Sequence, residues 1–292
     1  MVLEGKSAVV TGSGRGVGRA EVLALAKAGA QVVINDVDPE PAQEVLKEIE
    51  GFGGKAVVCT ETVATMEGAE RIIQTAVDNF GKIDILVNNA GIGRDRMVFN
   101  MTEKEWDEVI AIHLKGTFAC TRFASALMRQ QKSGRIINTA SGAGLAGATG
   151  QSNYAAAKAG IYGFSLSVSM ELRKYNVTCN ILIPGARTRM TETITDKAKK
   201  VRETSGLYKA STTPIPEPEF VGPMVVFLAS DDAQDISGQI IGVRGELISL
   251  WSHQKKERFS FMPGGWTYDL LKERFRNTIG ADINLSYKRG TI

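Results

Sequence analysis

A strand-like run, Ser7–Thr11, leads into the turn Gly12-Ser13-Gly14-Arg15-Gly16 and then into a helical pattern from Val17 to Ala28. Three glycines in five positions between a strand and a helix allow a tight reversal and leave backbone N–H groups approachable. The same strand-then-helix alternation repeats along the chain. Gln31–Asp36, Lys55–Thr60, Ile83–Asn88, Gly134–Thr139, Val177–Ile183 and Ile240–Val243 are short runs rich in β-branched residues. Between them lie helical patterns at Pro39–Glu50, Met66–Phe80, Glu103–Gln131, Tyr154–Tyr175 and Phe220–Ala229. This spacing predicts an α/β fold, a doubly wound seven-stranded parallel sheet (Rossmann-like) with right-handed crossovers and a C-terminal extension. Gly142–Gly150 reads as a loop and Thr188–Pro218 as a mobile excursion. Residues 1–245 are expected to form one domain. Residues 246–292 are expected to be an extension that packs on the core or on a partner subunit, because Trp251, Phe259, Phe261, Trp266, Tyr268 and Phe275 are concentrated near it.

Composition removes several classes. With 292 residues, 43% hydrophobic and 23% charged, the chain is an ordinary globular protein with enough apolar residues for a large core. Its three cysteines, Cys59, Cys120 and Cys179, form no close pair, and only His113 and His253 offer imidazole. Neither a disulfide framework nor a zinc site follows from such spacing, and no metal is expected. A net charge of +3 is too small to argue for nucleic acid. From Arg244 onward there are nine Lys/Arg against five Asp/Glu, which reads as a solvated basic face. No apolar stretch reaches the ~18 residues of a membrane span, and no signal peptide is read at Met1–Lys6. The expected setting is the cytoplasm, without a membrane partner.

Three features carry chemistry. The glycine-rich turn opens a helix, whose free N–H groups and dipole favour a phosphate. Asp36 ends the second strand 18 residues after Gly18, where a carboxylate can accept from both ribose hydroxyls of an adenosine and repel a 2′-phosphate. Val37 follows it where a basic residue would suit that phosphate, so NAD is expected over NADP, with Arg15 the contrary sign. Tyr154 and Lys158 stand four apart on one helix face, and an ammonium near a phenol favours phenolate. Ser141, 13 residues before Tyr154, follows the fifth strand and offers a hydroxyl to the same substrate oxygen. Taken singly, a glycine turn, a strand-end Asp or a surface Tyr/Lys pair has a purely structural reading.

Together these residues resemble the short-chain dehydrogenase/reductase family over roughly residues 3–245. Thr11–Gly18 is similar to its TGxxxGxG turn, Asn88-Asn89-Ala90-Gly91 to its NNAG motif and Pro184-Gly185 to its PG turn, while Ser141, Tyr154 and Lys158 match its catalytic serine, tyrosine and lysine. The resemblance implies that Tyr154 is the general acid/base, that Lys158 lowers its pKa and holds the nicotinamide ribose, and that Ser141 binds the substrate oxygen. It further implies that Gly12, Ser13, Arg15, Gly16, Val17 and Gly18 face the cofactor phosphates and ribose. Asn89, Ala90 and Gly91 would flank the adenosine, and Pro184, Gly185 and Thr188 the nicotinamide. Two departures stand out. Thr62-Val63 occupies the place of an Asp-Val pair that touches adenine. His113 replaces a common asparagine of a proton relay, a role imidazole can keep with an altered pH response.

His113-Leu114-Lys115-Gly116-Thr117-Phe118, Gly134–Ser141 and Arg189–Thr193 are similar to the (3R)-hydroxyacyl-CoA dehydrogenase module of peroxisomal multifunctional enzymes. That branch implies NAD-dependent oxidation of a 3-hydroxyacyl-CoA-like alcohol, a small-molecule CoA thioester as substrate, and a homo-oligomer, tetramer or dimer. The alternatives are a steroid or cyclic alcohol dehydrogenase, a 3-oxoacyl carrier-protein reductase, against which Asp36 weighs, and a catalytically silent NAD-binding subunit.

Overall fold

The computed structural model describes residues 1–187 and 215–281. Most of the Thr188–Pro218 excursion and Thr188 itself lie outside the described residues. Among the described residues, 1–187 and 215–251 belong to one compact unit and 252–281 to a second.

The first unit is built on an eight-stranded sheet. Its strands are β1 (Ser7–Thr11), β2 (Gln31–Asn35), β3 (Ala56–Cys59), β4 (Ile85–Asn88), β5 (Gly134–Thr139), β6 (Val177–Pro184), β7 (Ile240–Arg244) and β8 (Leu247–Trp251). They lie side by side in the order β3-β2-β1-β4-β5-β6-β7-β8, the first seven parallel and the last antiparallel. Seven parallel strands are those expected. The eighth arises because Gly245 adopts φ 57 and turns the chain back, so the expected domain boundary at residue 245 falls inside a hairpin. Two-residue hairpin loops require such a backbone, and glycine adopts it without a steric penalty.

Helices cover both faces, as burial on both sides of a parallel sheet requires. On one face, Ala8, Val10, Val32, Ile34, Ile85, Val87 and Ile137 pack against α1 (Gly16–Lys27), α2 (Pro39–Gly51) and residues 222–229. On the other, Val9, Val33, Leu86, Ile136 and Cys179 meet α3 (Met66–Phe80) and a pair of long helices further along. Alternate residues of each strand thus go to opposite layers, the period-2 consequence of the pleat.

The helix expected over Glu103–Gln131 is continuous in direction but not in winding. It comprises α4 (Glu103–Ile110), a π turn at Ala111–Lys115 that carries His113, and α5 (Gly116–Gln131). Thr102 and Glu105 cap its start reciprocally. The expected loop at 142–150 contains a short helix, α6 (Gly142–Ala146), which Ser141 caps by accepting from the Ala143 N–H at 3.2 Å. There follow α7 (Ser152–Leu172), α8 (Gly222–Ala229) and α9 (Tyr268–Arg274). No helix among the described residues is long and apolar enough to cross a membrane. In the second unit, Phe259, Phe261 and Tyr268 are exposed.

A buried polar bridge ties the strands that carry the site. Asn88 on β4 donates to Asn138 Oδ1 on β5 at 2.8 Å and to Thr121 Oγ1 on α5 at 3.0 Å. Asn138 in turn donates to Ser165 Oγ on α7 at 2.9 Å. Substituting Asn138 by leucine removes a shared partner and is expected to cost about 1–3 kcal/mol. Urea unfolding measures this; an unchanged midpoint would show that the bridge contributes nothing.

Candidate active site

The turn between β1 and α1 is held open by contacts that leave no room for larger residues. Gly12 and Gly16 have φ of 63 and 56. A Cβ on Gly18 would lie 2.4 Å from the Gly12 carbonyl and from Asn89 Nδ2. Asn89 explains the crowding: its amide donates to the carbonyls of Thr11 at 2.9 Å and Gly12 at 3.0 Å. Thr11 Oγ1 receives the N–H groups of Asn89 at 3.0 Å and Ala90 at 3.1 Å. The strand end at Asn89-Ala90 therefore clamps the glycine turn. Arg15, at the N-cap of α1, supplies no side-chain acceptor, so the first-turn N–H groups keep their capacity for an anion. Ser13 is different from expectation. Its hydroxyl is buried, donating to Val10 O at 2.8 Å and receiving Asn35 N at 3.1 Å, and it does not line the cleft.

Asp36 does two things. Its carboxylate accepts the N–H of Gly14 at 3.0 Å and of Asp38 at 3.1 Å, bracing the turn, and it still lines the cleft beside exposed Val37. Arg15, the contrary sign for the cofactor, is paired with Asp38 at 2.7 Å. Thr62 and Val63 also line this end, with Thr62 Oγ1 accepting Ala64 N at 3.2 Å.

The other end is built by β5 and α7. Lys158 is buried, and its ammonium donates to the Thr139 carbonyl at 2.6 Å. One of three N–H bonds is thereby used, and Nζ stands 5.6 Å from the centre of the Tyr154 ring. Burial draws the lysine pKa down to about 7, while the buried carboxyl of Glu21 works in the opposite direction. Burial raises the Tyr154 phenol above its ordinary value, and a hydrogen bond with Ser141 pulls it down. The expected stabilisation of phenolate thus comes here from the serine.

His113 is fixed edge-on to Tyr154, with ring centres 5.2 Å apart. Its Nε2 lies 3.0 Å from the Ile92 nitrogen and 2.8 Å from the Ile92 oxygen, so the tautomer decides whether it accepts or donates. Nδ1 is buried without a partner. Gly91 is required here, because a Cβ would come within 2.4 Å of His113 Cε1. Burial, and then the charge of Lys158, push the imidazole down to about 3, which favours its neutral form.

One cleft of about 440 Å³ gathers Gly12, Arg15, Gly16, Val17, Gly18, Asp36, Thr62, Val63, Asn89, Ala90, Gly91, His113, Ser141, Tyr154, Lys158 and Pro184. Gly185 is not in its wall; its N–H donates to Val243 O at 2.7 Å. Glu61, Ile92, Ile112, Thr139 and Ala186 line the cleft and went unforeseen, since burial beside a cleft has no signature in local spacing. The donor set suits a dinucleotide. An open glycine turn with unsatisfied N–H groups stands at the middle, a carboxylate at one end, and a lysine with unused donors at the other.

The family model for short chain dehydrogenases matches residues 6–199. The hydroxyacyl-CoA dehydrogenase ChsB1 of Mycobacterium tuberculosis is 42% identical over 280 residues, 91% of this chain and 86% of that protein. The 3-oxoacyl-[acyl-carrier-protein] reductase FabG of Thermotoga maritima is 39% identical over 249 residues, 85% of this chain and 100% of that protein. A crystal structure of a short chain dehydrogenase from Mycobacterium avium superposes with a TM-score of 0.85 at 41% identity, covering 96% of each chain.

The depressed imidazole has a measurable consequence. The proton resonances absent from His113→Asn should not move between about pH 8 and pH 5; a midpoint inside that range would overturn the neutral assignment. Because the folded value lies below the ordinary 6.5, the residue's stabilising contribution is complete above about pH 6.5 and is lost as pH falls toward 3.

Proposed function

The chain belongs to the short-chain dehydrogenase family, and from that premise we propose that it oxidises the secondary alcohol of a 3-hydroxyacyl-CoA-like thioester to a ketone with NAD. Members of this family are oxidoreductases acting on CH–OH groups with a nicotinamide cofactor. The observation that carries the reading is the convergence of Ser141, Tyr154 and Lys158 at one end of a cleft whose other end holds Asp36.

The nicotinamide, when bound, supplies the hydride acceptor. Gly12, Gly16, Val17 and Gly18 would hold its phosphates, with Asn89, Ala90 and Gly91 along the adenosine side. Asp36 would accept from the adenosine ribose, and its charge opposes a 2′-phosphate. Lys158, anchored by Thr139, has donors left for the second ribose. Pro184 and Thr188 are assigned to the nicotinamide end. Tyr154 takes the proton of the substrate hydroxyl, and Ser141 donates to the same oxygen as negative charge develops there. The paired state of Arg15 with Asp38 supports NAD over NADP, since that guanidinium already has a carboxylate partner.

An acyl thioester is favoured by two observations. The relative ChsB1 is named a hydroxyacyl-CoA dehydrogenase. Met97, Val98 and Phe99 expose apolar side chains on a segment that Arg96 N–H ties at 2.8 Å to the carbonyl of Gly150, four residues before Tyr154 in the chain. An exposed apolar shelf of this kind suits an acyl chain. The reverse reduction, as named for FabG, uses the same residues with the proton moving the other way.

Turnover of a panel of 3-hydroxyacyl-CoAs, steroids and simple secondary alcohols is followed by the near-ultraviolet absorbance of reduced nicotinamide. NAD should be preferred over NADP, and hydroxyacyl-CoAs over the other alcohols. Tyr154→Phe should lower kcat/KM by about 10²–10⁴-fold and Ser141→Ala by about 10²–10³-fold. Firm NAD binding without turnover of any alcohol would favour a silent subunit, and a Tyr154→Phe enzyme at full rate would remove the acid/base assignment.

A further inference from the structure

Tyr154, Lys158 and Tyr162 stand four residues apart on α7 and form one ridge of that helix. All three reach the same short stretch at the carboxyl end of β5. Lys158 donates to the Thr139 carbonyl at 2.6 Å, and the Tyr162 hydroxyl donates to the Ser141 carbonyl at 3.0 Å. Tyr154 is hydrogen-bonded with Ser141. Residues 139 and 141 are alternate positions of an extended chain. Ala140 N–H still pairs with the Leu182 carbonyl of β6 at 2.7 Å, and Ser141 has φ −155 and ψ 146. Groups two apart in such a chain face the same way, so a single helical ridge meets both carbonyls.

The Tyr162 ring is buried among Ala140, Ile161, Ile181 and Ile240, with Trp251 of β8 packed against the same cluster. Phenylalanine would fill that space equally well, so packing gives no reason for a hydroxyl there. The one hydrogen bond that this hydroxyl makes among the described residues goes to Ser141. Burial, and then the charge of Tyr154, raise the Tyr162 phenol, so it remains a protonated donor. Tyr162 does not line the cleft.

The bonds of Ser141 divide cleanly. Its carbonyl accepts a second N–H, that of Gly144 at 2.9 Å, and its hydroxyl oxygen accepts Ala143 N–H at 3.2 Å. With an N–H aimed at its oxygen, the hydroxyl keeps its own proton for the cleft. Gly144 and Ala143 belong to the turn that Ser141 itself caps, so Tyr162 is the partner of the Ser141 carbonyl from outside that turn. The short helix α6 is seated on α7 by a separate contact, because a Cβ on Gly144 would lie 2.7 Å from Ala159 N and from the Lys158 carbonyl carbon. Loss of the phenol oxygen therefore leaves α6 in place and frees only the residue at its start.

We propose that Tyr162 is a positioning residue: by holding the Ser141 carbonyl, its hydroxyl sets the direction in which the Ser141 side chain faces Tyr154 and the substrate oxygen. The inference rests on the functional reading of Ser141 and Tyr154 given above. Both reacting partners are then held to one helix, Tyr154 as part of it and Ser141 by a bond two turns further along. Small displacements of such a group are costly to a reaction, which is why a bond remote from the cleft is felt in turnover.

The test uses the full chain as wild type, Tyr162→Phe, Ser141→Ala and the double variant, with thermal melts to establish folding. In Tyr162→Phe, kcat on the alcohol that the wild type oxidises should fall about 10-fold. NAD affinity, read without substrate by quenching of tryptophan fluorescence, should be unchanged. In the Ser141→Ala background the same substitution should have almost no further effect, because the group it positions is already gone. A merely structural phenol would lower turnover by the same factor in both backgrounds, so additive losses overturn the proposal, as does a Tyr162→Phe enzyme with wild-type kcat. Amide hydrogen exchange at Ala143, followed by NMR, reports the Ser141 hydroxyl without any turnover. It should quicken in Tyr162→Phe by a similar factor of about 10, and unchanged protection overturns the proposal. A Tyr162→Phe chain that does not fold also overturns it, since the hydroxyl would then serve the fold. If the wild type oxidises no alcohol, or Ser141→Ala is unimpaired, the functional reading fails, and exchange at Ala143 alone decides whether Tyr162 holds Ser141.

Discussion

The site depends on where a doubly wound sheet reverses its strand order. β1 lies between β2 and β4, so the chain leaves β1 toward one face and returns from β3 to enter β4 on the other side of it. The connections diverge there and open a crevice at the carboxyl ends of the strands. Each part of the cleft is a strand end: Gly12 after β1, Asp36 after β2, Thr62 after β3, Asn89 after β4, Thr139 and Ser141 at β5, Pro184 on β6. Gly16, Val17 and Gly18 come from the start of α1, Tyr154 and Lys158 from α7, and His113 from the π turn. The clamp between Asn89 and the turn carbonyls ties the end of β4 to the glycine turn, and the close approach at Gly18 leaves no space for a side chain there.

Burial sets the electrostatics at that edge. It weakens both the acid and the base that the chemistry needs, raising the phenol of Tyr154 and lowering the ammonium of Lys158. The lysine does not touch the phenol; it is tied to the Thr139 carbonyl, with the ring 5.6 Å away. Ser141 supplies the direct contact that favours phenolate. Such a division separates the residue that binds from the residue that tunes.

Much of this was legible in the chain. Alternating β-branched runs and helical patterns give seven parallel strands, and the glycine turn, Asp36, Ser141, Tyr154 and Lys158 all occupy one cleft. What was hidden depends on tertiary context. β8 falls in the stretch expected as a C-terminal extension, since Leu247–Trp251 follows the last of the alternating runs, although Gly245 in a two-residue loop is a hairpin signal. The π turn left no local trace, since one extra residue in a helix does not change composition. The depressed pKa of His113 follows from burial that spacing cannot reveal. Ser13 looked free to face a phosphate until the structure spent its hydroxyl on Val10 and Asn35. Glu21 is the extreme instance, because an acid on an amphipathic helix reads as a solvated residue.

Those hidden groups have something in common. Among the described residues, most buried polar atoms are satisfied, as packing demands. The exceptions at Glu21, Thr139 and His113 belong to residues at or just behind the cleft edge that carries Tyr154 and Lys158, while Ser7, Thr178 and Trp251 lie outside its wall. A core optimised for stability alone would have apolar side chains at such positions, at lower desolvation cost. Their clustering marks the place where local rules of folding are violated, and such violations are expected where a protein carries function. The apolar layers on both faces of the sheet surround this edge, and it keeps its unpaired polar groups within them. An edge with unspent hydrogen-bonding capacity can respond to a ligand's hydroxyls and phosphates without first breaking bonds of its own, and that is the physical basis for binding there at all.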